Sequence, residues 1–514
     1  MPEQKTTVLV ILDGWGIGQT ENTLDPIVPE HAPNYFDFLK KYPNTQLEAS
    51  AEAVGLFKKQ EGNSEAGHIN LGAGRVVKQD ALYVSDAIAD GTFFKNNAFY
   101  QALHHVKKYN TAVHLMGLLS NHNSAHSCPE HLYALLELMK KEKIKKVFLH
   151  LFTDGRDSAP HDAVNHLKKL RDHMSGDEKI ATVMGRLYAM DRNKNWHRTK
   201  MAYEAMTLGK GKLVSTAEEA LLKAYDCGES DEFISPTIIV DQNKPIATIK
   251  NNDAIFFFNL RSDRAREITK AFVQPDFEKV NPGAFKRTRI PKNTRFVALT
   301  DFGPDLPGVL TAYPSRDVNN SLVQFLCPKK QLYVAESEKF AHVTYFFNGG
   351  YAQHFCDEEW VKIPTPSAEN YENKPEMNAK GVGDKVVEAI ESGKYEFIVC
   401  NFANADMVGH TGNFKAAQEA VQAIDEQLGR IVQALTAVKG QGIITADHGN
   451  IEEMINMRTG GIDTEHSLNP VPCIIIGSGA KQIKKSGKLA DVAPTLIKMM
   501  GLKKPKEMTG KSLI

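Results

Sequence analysis

The 514-residue chain has no excess of charge, with 62 Lys and Arg against 62 Asp and Glu. Without a net field, nothing draws it to nucleic acid or to an anionic membrane surface, and a small-molecule partner is expected. Close cysteine pairs are missing as well. The six cysteines, Cys128, Cys227, Cys327, Cys356, Cys400 and Cys473, are scattered with no C-x-x-C pair, which argues against a disulfide framework and against a thiolate zinc site. No segment approaches the roughly 18 consecutive apolar residues of a membrane span. The start, MPEQKTTVLVILDGWG, has too short an apolar run and no small-residue cleavage pattern for a signal peptide, so a soluble cytoplasmic protein is expected. Internal repeats, low-complexity tracts and a G-x-S-x-G nucleophile elbow are also absent. In EGNSEAGHINLGAGR (61–75), Ser64 lies between Asn63 and Glu65, and Gly67 comes one residue too late for the elbow. On local grounds alone Ser64 reads as a helix cap, with nucleophile the competing role.

The length allows roughly two to four domains. Short apolar runs rich in β-branched and aromatic residues recur along the chain: TTVLVILDG (6–14), TAVHLMGLL (111–119), KVFLHLFTDG (146–155), AIFFFNL (254–260), RFVALTDFG (295–303), EFIVCNFAN (396–404) and GIITADHGN (442–450). Segments with helical spacing separate many of them, such as HLYALLELMKKEKIKK (131–146) and FKAAQEAVQAIDEQLGRIVQALTAV (414–438). Buried strands alternating with amphipathic helices predict α/β sheets covered on both faces. The lysines of MKKEKIKKV (139–147) read as the solvated end of a helix. Irregular connectors are expected around Val76–Leu82 and in the Gly/Pro-rich TDFGPDLPGVLTAYPS (300–315). Ligands of α/β sheets gather at the carboxyl ends of strands, where Asp13, Asp154, Arg261, Asp301 and Asp447 stand.

The last quarter holds metal-type donors. NFANADMVGHTG (401–412) sets Asp406 and His410 four residues apart, ITADHGN (444–450) contributes Asp447 and His448, and TEHSLNPVP (464–472) adds His466. Carboxylate and imidazole without thiolate suit manganese, zinc or a similar divalent ion. Asp13 lies in the glycine-rich loop DGWGIG; if it shares a site with Asp447, the two chain ends form one domain and the middle is an insertion. About seven side-chain ligands would serve two ions clamping a transferring phosphoryl group, with a serine beside one of them as nucleophile. The central region offers arginines instead, in TDGRDS (153–158), GRLYAMDRNKNWHR (185–198) and NLRSDRARE (259–267). Convergent guanidinium groups match a small di- or trianion, whereas the interleaved Asp157, Asp191 and Asp263 offer a competing reading as simple neutralising partners. AESEKFAHVTYFFNGG (335–350) adds Lys339, suited to offsetting charge on a phosphoryl group in transit.

Over nearly its full length the chain resembles the cofactor-independent phosphoglycerate mutases of the alkaline phosphatase superfamily. The resemblance is carried by LDGWG, EASAEAVGL, GNSEAGHINLGAGR, DGRD, GRLYAMDR, NLRSDRARE, AESEKFAHVTYFFNGG, ADMVGHTG, ITADHGN and HSLNPVP, in this order. It implies an alkaline-phosphatase-like metal domain from residues 1–80 and 314–514, with an inserted α/β substrate-binding domain at 81–313. Ser64 would become phosphoserine. Asp13, Ser64, Asp447 and His448 would hold one ion, and Asp406, His410 and His466 the other, usually manganese. His126, Arg156, Asp157, Arg186, Arg192, Arg261, Arg264 and Lys339 match substrate-binding positions. Where the family reads close to LLSDGGVHSH, this chain has LLSNHNSAHSCPEH (118–131), with Asn121 for the aspartate and Cys128 where a second histidine is common. His126, rather than His122, is taken as the substrate contact.

The implied reaction interconverts 3- and 2-phosphoglycerate with no bisphosphoglycerate, in a monomer that binds neither membrane nor nucleic acid. Ser64 attacks the phosphoryl group, Lys339 offsets charge, and Asp157 serves as general base for the second hydroxyl. Closure of the central domain, hinged at the two connectors, would exclude water. The alternatives are another metal-dependent phosphatase or phosphomutase of the superfamily, and a non-catalytic phosphoglycerate-binding protein.

Overall fold

A computed structural model describes residues 5–18, 24–122, 124–316, 318–367, 371–456, 460–480 and 482–514. The chain divides into two compact units, Met1–Gln79 with Asp317–Ile514, and Asp80–Arg316. In chain order the strands are β1 (Thr7–Leu12), β2 (Asn44–Glu48), β3 (Val113–Leu119), β4 (Val147–Thr153), β5 (Glu178–Gly185), β6 (Lys212–Val214), β7 (Thr237–Asp241), β8 (Lys244–Pro245), β9 (Ala254–Phe257), β10 (Arg295–Thr300), β11 (Val309–Tyr313), β12 (Gln331–Glu336), β13 (Glu359–Ile363), β14 (Phe397–Phe402), β15 (Gln441–Thr445), β16 (Val471–Ile476) and β17 (Ser486–Lys488). None of the described helices is long and apolar enough to cross a membrane.

The first unit is built on an eight-stranded sheet ordered β13-β12-β14-β1-β15-β16-β2-β17. Its strands from the β13 edge to β15 are mutually parallel, and β16 runs antiparallel to both β15 and β2. All six residues of β1 are buried, which is why TVLVIL is an uninterrupted apolar run: a strand covered on both faces needs no polar alternation. The helix Phe414–Ala437 turns Ala417, Val421, Ile424, Leu428, Ile431 and Leu435 into this core and leaves polar residues such as Lys415 and Gln433 off that face.

The second unit carries a nine-stranded sheet, β11-β10-β9-β3-β4-β5-β7-β6 with β8 paired to β7. From β11 to β5 its strands are parallel. The helix expected over 131–146 spans Pro129–Lys141, with Lys140 and Lys141 in its last turn. Residues 300–315 are less irregular than expected. Despite their glycines and prolines they include β11, because Val309–Tyr313 completes the parallel edge beside β10. The cysteine reading is also corrected: Cys327 and Cys356, 29 residues apart, form a disulfide with a Cα–Cα distance of 5.5 Å. The bridge closes a loop that contains β12, Lys339 and the π-turn His342–Phe346.

Candidate active site

Because β1 lies between β14 and β15 in parallel register, Asp13, Asp406 and Asp447 emerge side by side from the carboxyl ends of neighbouring strands. All three are buried. The loops are drawn tight: the Asp406 amide donates to the Asp13 carbonyl at 3.0 Å. At Gly14, φ is +75° and a Cβ would lie 2.7 Å from Asp406 Cα, so only glycine fits this turn. Ser64 opens the helix Ser64–Ala73, but the cap is Asn63, whose side chain accepts from the Ala66 amide at 2.9 Å. Reading Ser64 as the cap is therefore corrected. The neighbouring asparagine satisfies the helix end, and the Ser64 hydroxyl is left to the acidic cluster.

That hydroxyl donates to Asp13 Oδ1 at 3.0 Å, lies 3.0 Å from His448 Nε2, and accepts from Lys339 Nζ at 2.7 Å. Lys339 Nζ also donates to Asp13 Oδ1 and to Asp406 Oδ2, each at 2.6 Å. Asp406 and His410 lie on one turn, as their spacing predicts, with His410 Nε2 at 3.3 Å from Asp406 Oδ1. His466 Nε2 is 3.2 Å from the same oxygen and 3.2 Å from His410 Nε2. Burial disfavours charge on Lys339, yet Asp13 and Asp406 outweigh it and hold the ammonium above its ordinary pKa. For Asp13 and Asp406 burial pulls upward, and the Lys339 ammonium more than reverses it, leaving both carboxyls well below the usual range.

The donor set fits divalent cations. Asp406 with His410 and His466, Asp13 with Asp406 and His448, and Asp13 with His68 and Asp447 each bring their ligand atoms within 4.8 Å of one another. Three buried carboxylates face a single ammonium. His410 Nδ1 is turned to the Thr464 carbonyl at 2.7 Å and His466 Nδ1 to the Gly62 carbonyl at 2.8 Å, so each Nδ1 is a donor and each Nε2 presents a lone pair to the other and to Asp406. The Asn450 side-chain amide donates to Asp406 Oδ1 at 3.1 Å and lies 3.5 Å from His410 Nε2, and the three acceptors crowded around it also suit a cation. Asp447 Oδ2 is buried and makes no hydrogen bond, though His68 Nδ1 lies 3.1 Å and His448 Nε2 3.6 Å from it, a second position that suits a cation.

The second unit gathers the arginines at the carboxyl ends of β3, β4, β5 and β9. Arg186 is buried and pairs with Asp154 and, at 3.0 Å, with Asp157. Ser124 Oγ donates to Asp157 Oδ2 at 2.7 Å. Burial raises the Asp157 pKa, but Arg186, the Ser124 hydroxyl and His126 outweigh it and hold it below the ordinary value. His126 is driven to about 3 by burial and by Arg186 and Arg261, and its buried Nδ1 has no hydrogen-bond partner. Arg264, which donates to the Met190 carbonyl at 3.4 Å, is pushed down by burial and then by Arg186, Arg192 and Arg156, so four guanidinium groups share one neighbourhood. Neutralising pairs exist too, Arg192 with Asp263 at 2.9 Å and Arg198 with Asp191 at 3.2 Å. Arg156 lies 3.9 Å from Glu232, and Arg261 lies 3.9 Å from Asp263. His122 is exposed and pairs with Glu130. Lys339 belongs with the carboxylates of the first unit.

Sequence reasoning passed over His68, whose Nδ1 lies 2.9 Å from the Ser64 carbonyl and 3.1 Å from Asp447 Oδ2. Its spacing of four from Ser64, on one helix face, was the available signal. Glu452 was also missed. This buried carboxylate accepts from the Gly16 and Asn450 amides, each at 2.9 Å, and from Ser467 and Asn469, tying three site loops together.

A Methanosarcina acetivorans protein named 2,3-bisphosphoglycerate-independent phosphoglycerate mutase 1 is 46% identical over 99% of this chain and 99% of its own. The chain belongs to the 2,3-bisphosphoglycerate-independent phosphoglycerate mutase family. A Clostridium botulinum member of this mutase family is 44% identical, again over 99% of both chains. Residues 84–304 match the family model described as the BPG-independent PGAM N-terminus. A solved structure of Leishmania mexicana phosphoglycerate mutase, described as being at low cobalt concentration, superposes with a TM-score of 0.78 at 31% identity, covering 99% of this chain and 98% of that one.

Proposed function

We propose that this chain interconverts 3-phosphoglycerate and 2-phosphoglycerate, the glycolytic and gluconeogenic step, through phosphoserine on Ser64 and without bisphosphoglycerate. The observation that carries this reading is the Ser64 hydroxyl held at once by Lys339, Asp13 and His448 in a metal-type cluster, within a chain that matches mutases from end to end. Asp13, Ser64, Asp447 and His448 are the proposed ligands of one divalent ion, and Asp406, His410 and His466 those of the other, with Mn2+ the proposed metal. When bound, such ions supply positive charge to the nucleophile and to the phosphoryl oxygens.

Ser64 Oγ attacks phosphorus in line; the Oγ–P bond forms as the bond to the glycerate oxygen breaks, and the Ser64 hydroxyl proton passes through solvent or neighbouring groups to the departing glycerate oxygen. Lys339 stays protonated and offsets charge on the transferring oxygens. Arg156, Arg186, Arg192, Arg261 and Arg264 supply the cationic donors for the substrate's anionic groups, and His126 orients its hydroxyls. Asp157, ionised beside Arg186, takes the proton of the second hydroxyl as that oxygen attacks phosphoserine, and the proton then passes to the departing Ser64 oxygen through solvent or neighbouring groups. The inserted unit acts as the substrate-binding domain in this scheme. Both donor sets come from one chain, which supports a monomer; cytoplasmic location and action on a small molecule, with neither membrane nor nucleic acid as partner, belong to the same proposal.

The test is an enolase-coupled assay from 3-phosphoglycerate with Mn2+ and no bisphosphoglycerate. Steady formation of 2-phosphoglycerate is expected, abolished in Ser64→Ala. Inorganic phosphate as the main product would make the protein a phosphatase, and substantial turnover by Ser64→Ala would remove the serine from the mechanism.

A further inference from the structure

The loop between β3 and the helix Pro129–Lys141 carries metal-type donors that the proposed reaction does not use. His122, Cys128 and Glu130 bring an imidazole nitrogen, a sulfur and a carboxylate oxygen within 4.8 Å of one another. His122 Nε2 is 3.2 Å from Glu130 Oε1, and Cys128 Sγ donates to Glu130 Oε2 at 3.0 Å. The His122 and Glu130 side chains are 61% and 48% exposed, whereas Cys128 is buried, so the group is anchored on one side and open to water on the other. A cavity of about 190 Å³ runs beside it, lined among others by His122, Glu130, Tyr133 and His166.

We propose that His122, Cys128 and Glu130 bind a zinc ion, with water completing the coordination, and that this ion clamps the loop. One imidazole, one thiolate and one carboxylate make a tetrahedral zinc set once water is added. The sulfur separates this group chemically from the oxygen- and nitrogen-only cluster around Ser64, and favours zinc over manganese or magnesium. Both contacts now made by Glu130, to the imidazole and to the thiol, are ones a cation would replace. On binding, the Sγ–H proton leaves to solvent and sulfur becomes a thiolate ligand. Ligand distances of about 2.0–2.3 Å then need only rotamer changes in the two exposed side chains. No C-x-x-C spacing announces such a site, since only one of its ligands is a cysteine. Its consequence lies in what it brackets: Ser124, the partner of Asp157, and His126 both fall between His122 and Cys128.

Cobalt is the probe, titrated into chelator-treated full-length protein while near-ultraviolet absorption is followed. A thiolate ligand gives a sulfur-to-cobalt charge-transfer band, which oxygen and nitrogen ligands cannot produce. The expected result is a saturating band that zinc abolishes, that is lost in Cys128→Ser, and that needs at least about tenfold more cobalt in His122→Ala and in Glu130→Gln. No band in the parent protein, a band that survives Cys128→Ser, or one indifferent to His122→Ala would each overturn the proposal. Circular dichroism checks the fold of each variant; if Cys128→Ser fails to fold, the exposed His122 and Glu130 variants decide the outcome.

Discussion

Replacing Lys339 with methionine keeps most of the length of the side chain and removes its charge. In the parent protein Lys339 Nζ lies 2.6 Å from both Asp13 Oδ1 and Asp406 Oδ2, with both carboxylates almost completely buried. Deleting one partner of a buried ion pair costs about 3–5 kcal/mol, because the remaining charge has neither water nor counter-charge. The two carboxylates share one ammonium, so the losses do not add, and about 3–5 kcal/mol is expected in chelator. For a unit of this size, at about 2.1 cal/mol/K of unfolding entropy per residue, that corresponds to a melting point lower by about 5–9 °C. Divalent ions in the same cluster would supply the missing charge, so the deficit should shrink by at least about 1–2 kcal/mol with saturating Mn2+. Turnover should remain about 10²- to 10³-fold down even with the ion, since the ammonium aimed at Ser64 is gone. Differential scanning fluorimetry with chelator and with Mn2+, beside the coupled assay, reads all three effects. A shift below about 2 °C in chelator, or the same shift with and without the ion, would refute the view that lysine and metal offset the same carboxylates.

Arg186→Met should leave Asp154 and Asp157 without their buried partner, costing the second unit about 3–5 kcal/mol in urea unfolding and raising KM; unchanged KM would remove Arg186 from substrate binding. His150, buried between His114 Nδ1 and Thr182 Oγ1, is kept well below its ordinary pKa by burial and by His114. The unfolded imidazole takes up a proton below about pH 6.5 that the folded one refuses, so its contribution is complete above that pH and lost as pH falls. His150→Gln should flatten the acid side of the stability profile by up to about 1.4 kcal/mol per pH unit, and an unchanged slope would count against this reading. Cys327→Ser opens a cross-link spanning 29 residues and should cost about 3–4 kcal/mol under oxidising conditions. Dithiothreitol should erase the difference between parent and variant; a difference that persists in reductant would point to packing instead.

Much of the site was legible because its chemistry sits at strand ends. A buried apolar strand followed at once by Asp13, or by Ala446 and Asp447, reads directly from the sequence, and the parallel register does the rest. Ser64 was harder, since serine and asparagine compete for the same cap and local sequence does not say which wins. Only the structure shows that Asn63 takes it. Glu452 was invisible for a different reason: it ties its own loop, at the Asn450 amide, to the Gly16 amide 436 residues away, a relation that no spacing records. The Cys327–Cys356 bridge escaped likewise, because spacing rules find cysteines that are close along the chain. The arginines show both of the charge arrangements that the sequence allows. Arg192 has its neutralising aspartate, while Arg264 sits among three other guanidinium groups.

The place of β1 has a consequence for biosynthesis. This strand is synthesised long before both of its sheet neighbours, β14 and β15. At about 5–20 residues per second, the residues between Leu12 and Thr445 take roughly 20–90 s to make. The contiguous Asp80–Arg316 unit has all its strands well before then. Throughout that interval TVLVIL is an apolar segment with two unpaired edges, a hazard for misassembly while it waits. The nascent chain therefore completes its arginine-bearing unit first and holds Asp13 and Ser64 unassembled until the last quarter delivers Asp406, Asp447 and the histidines.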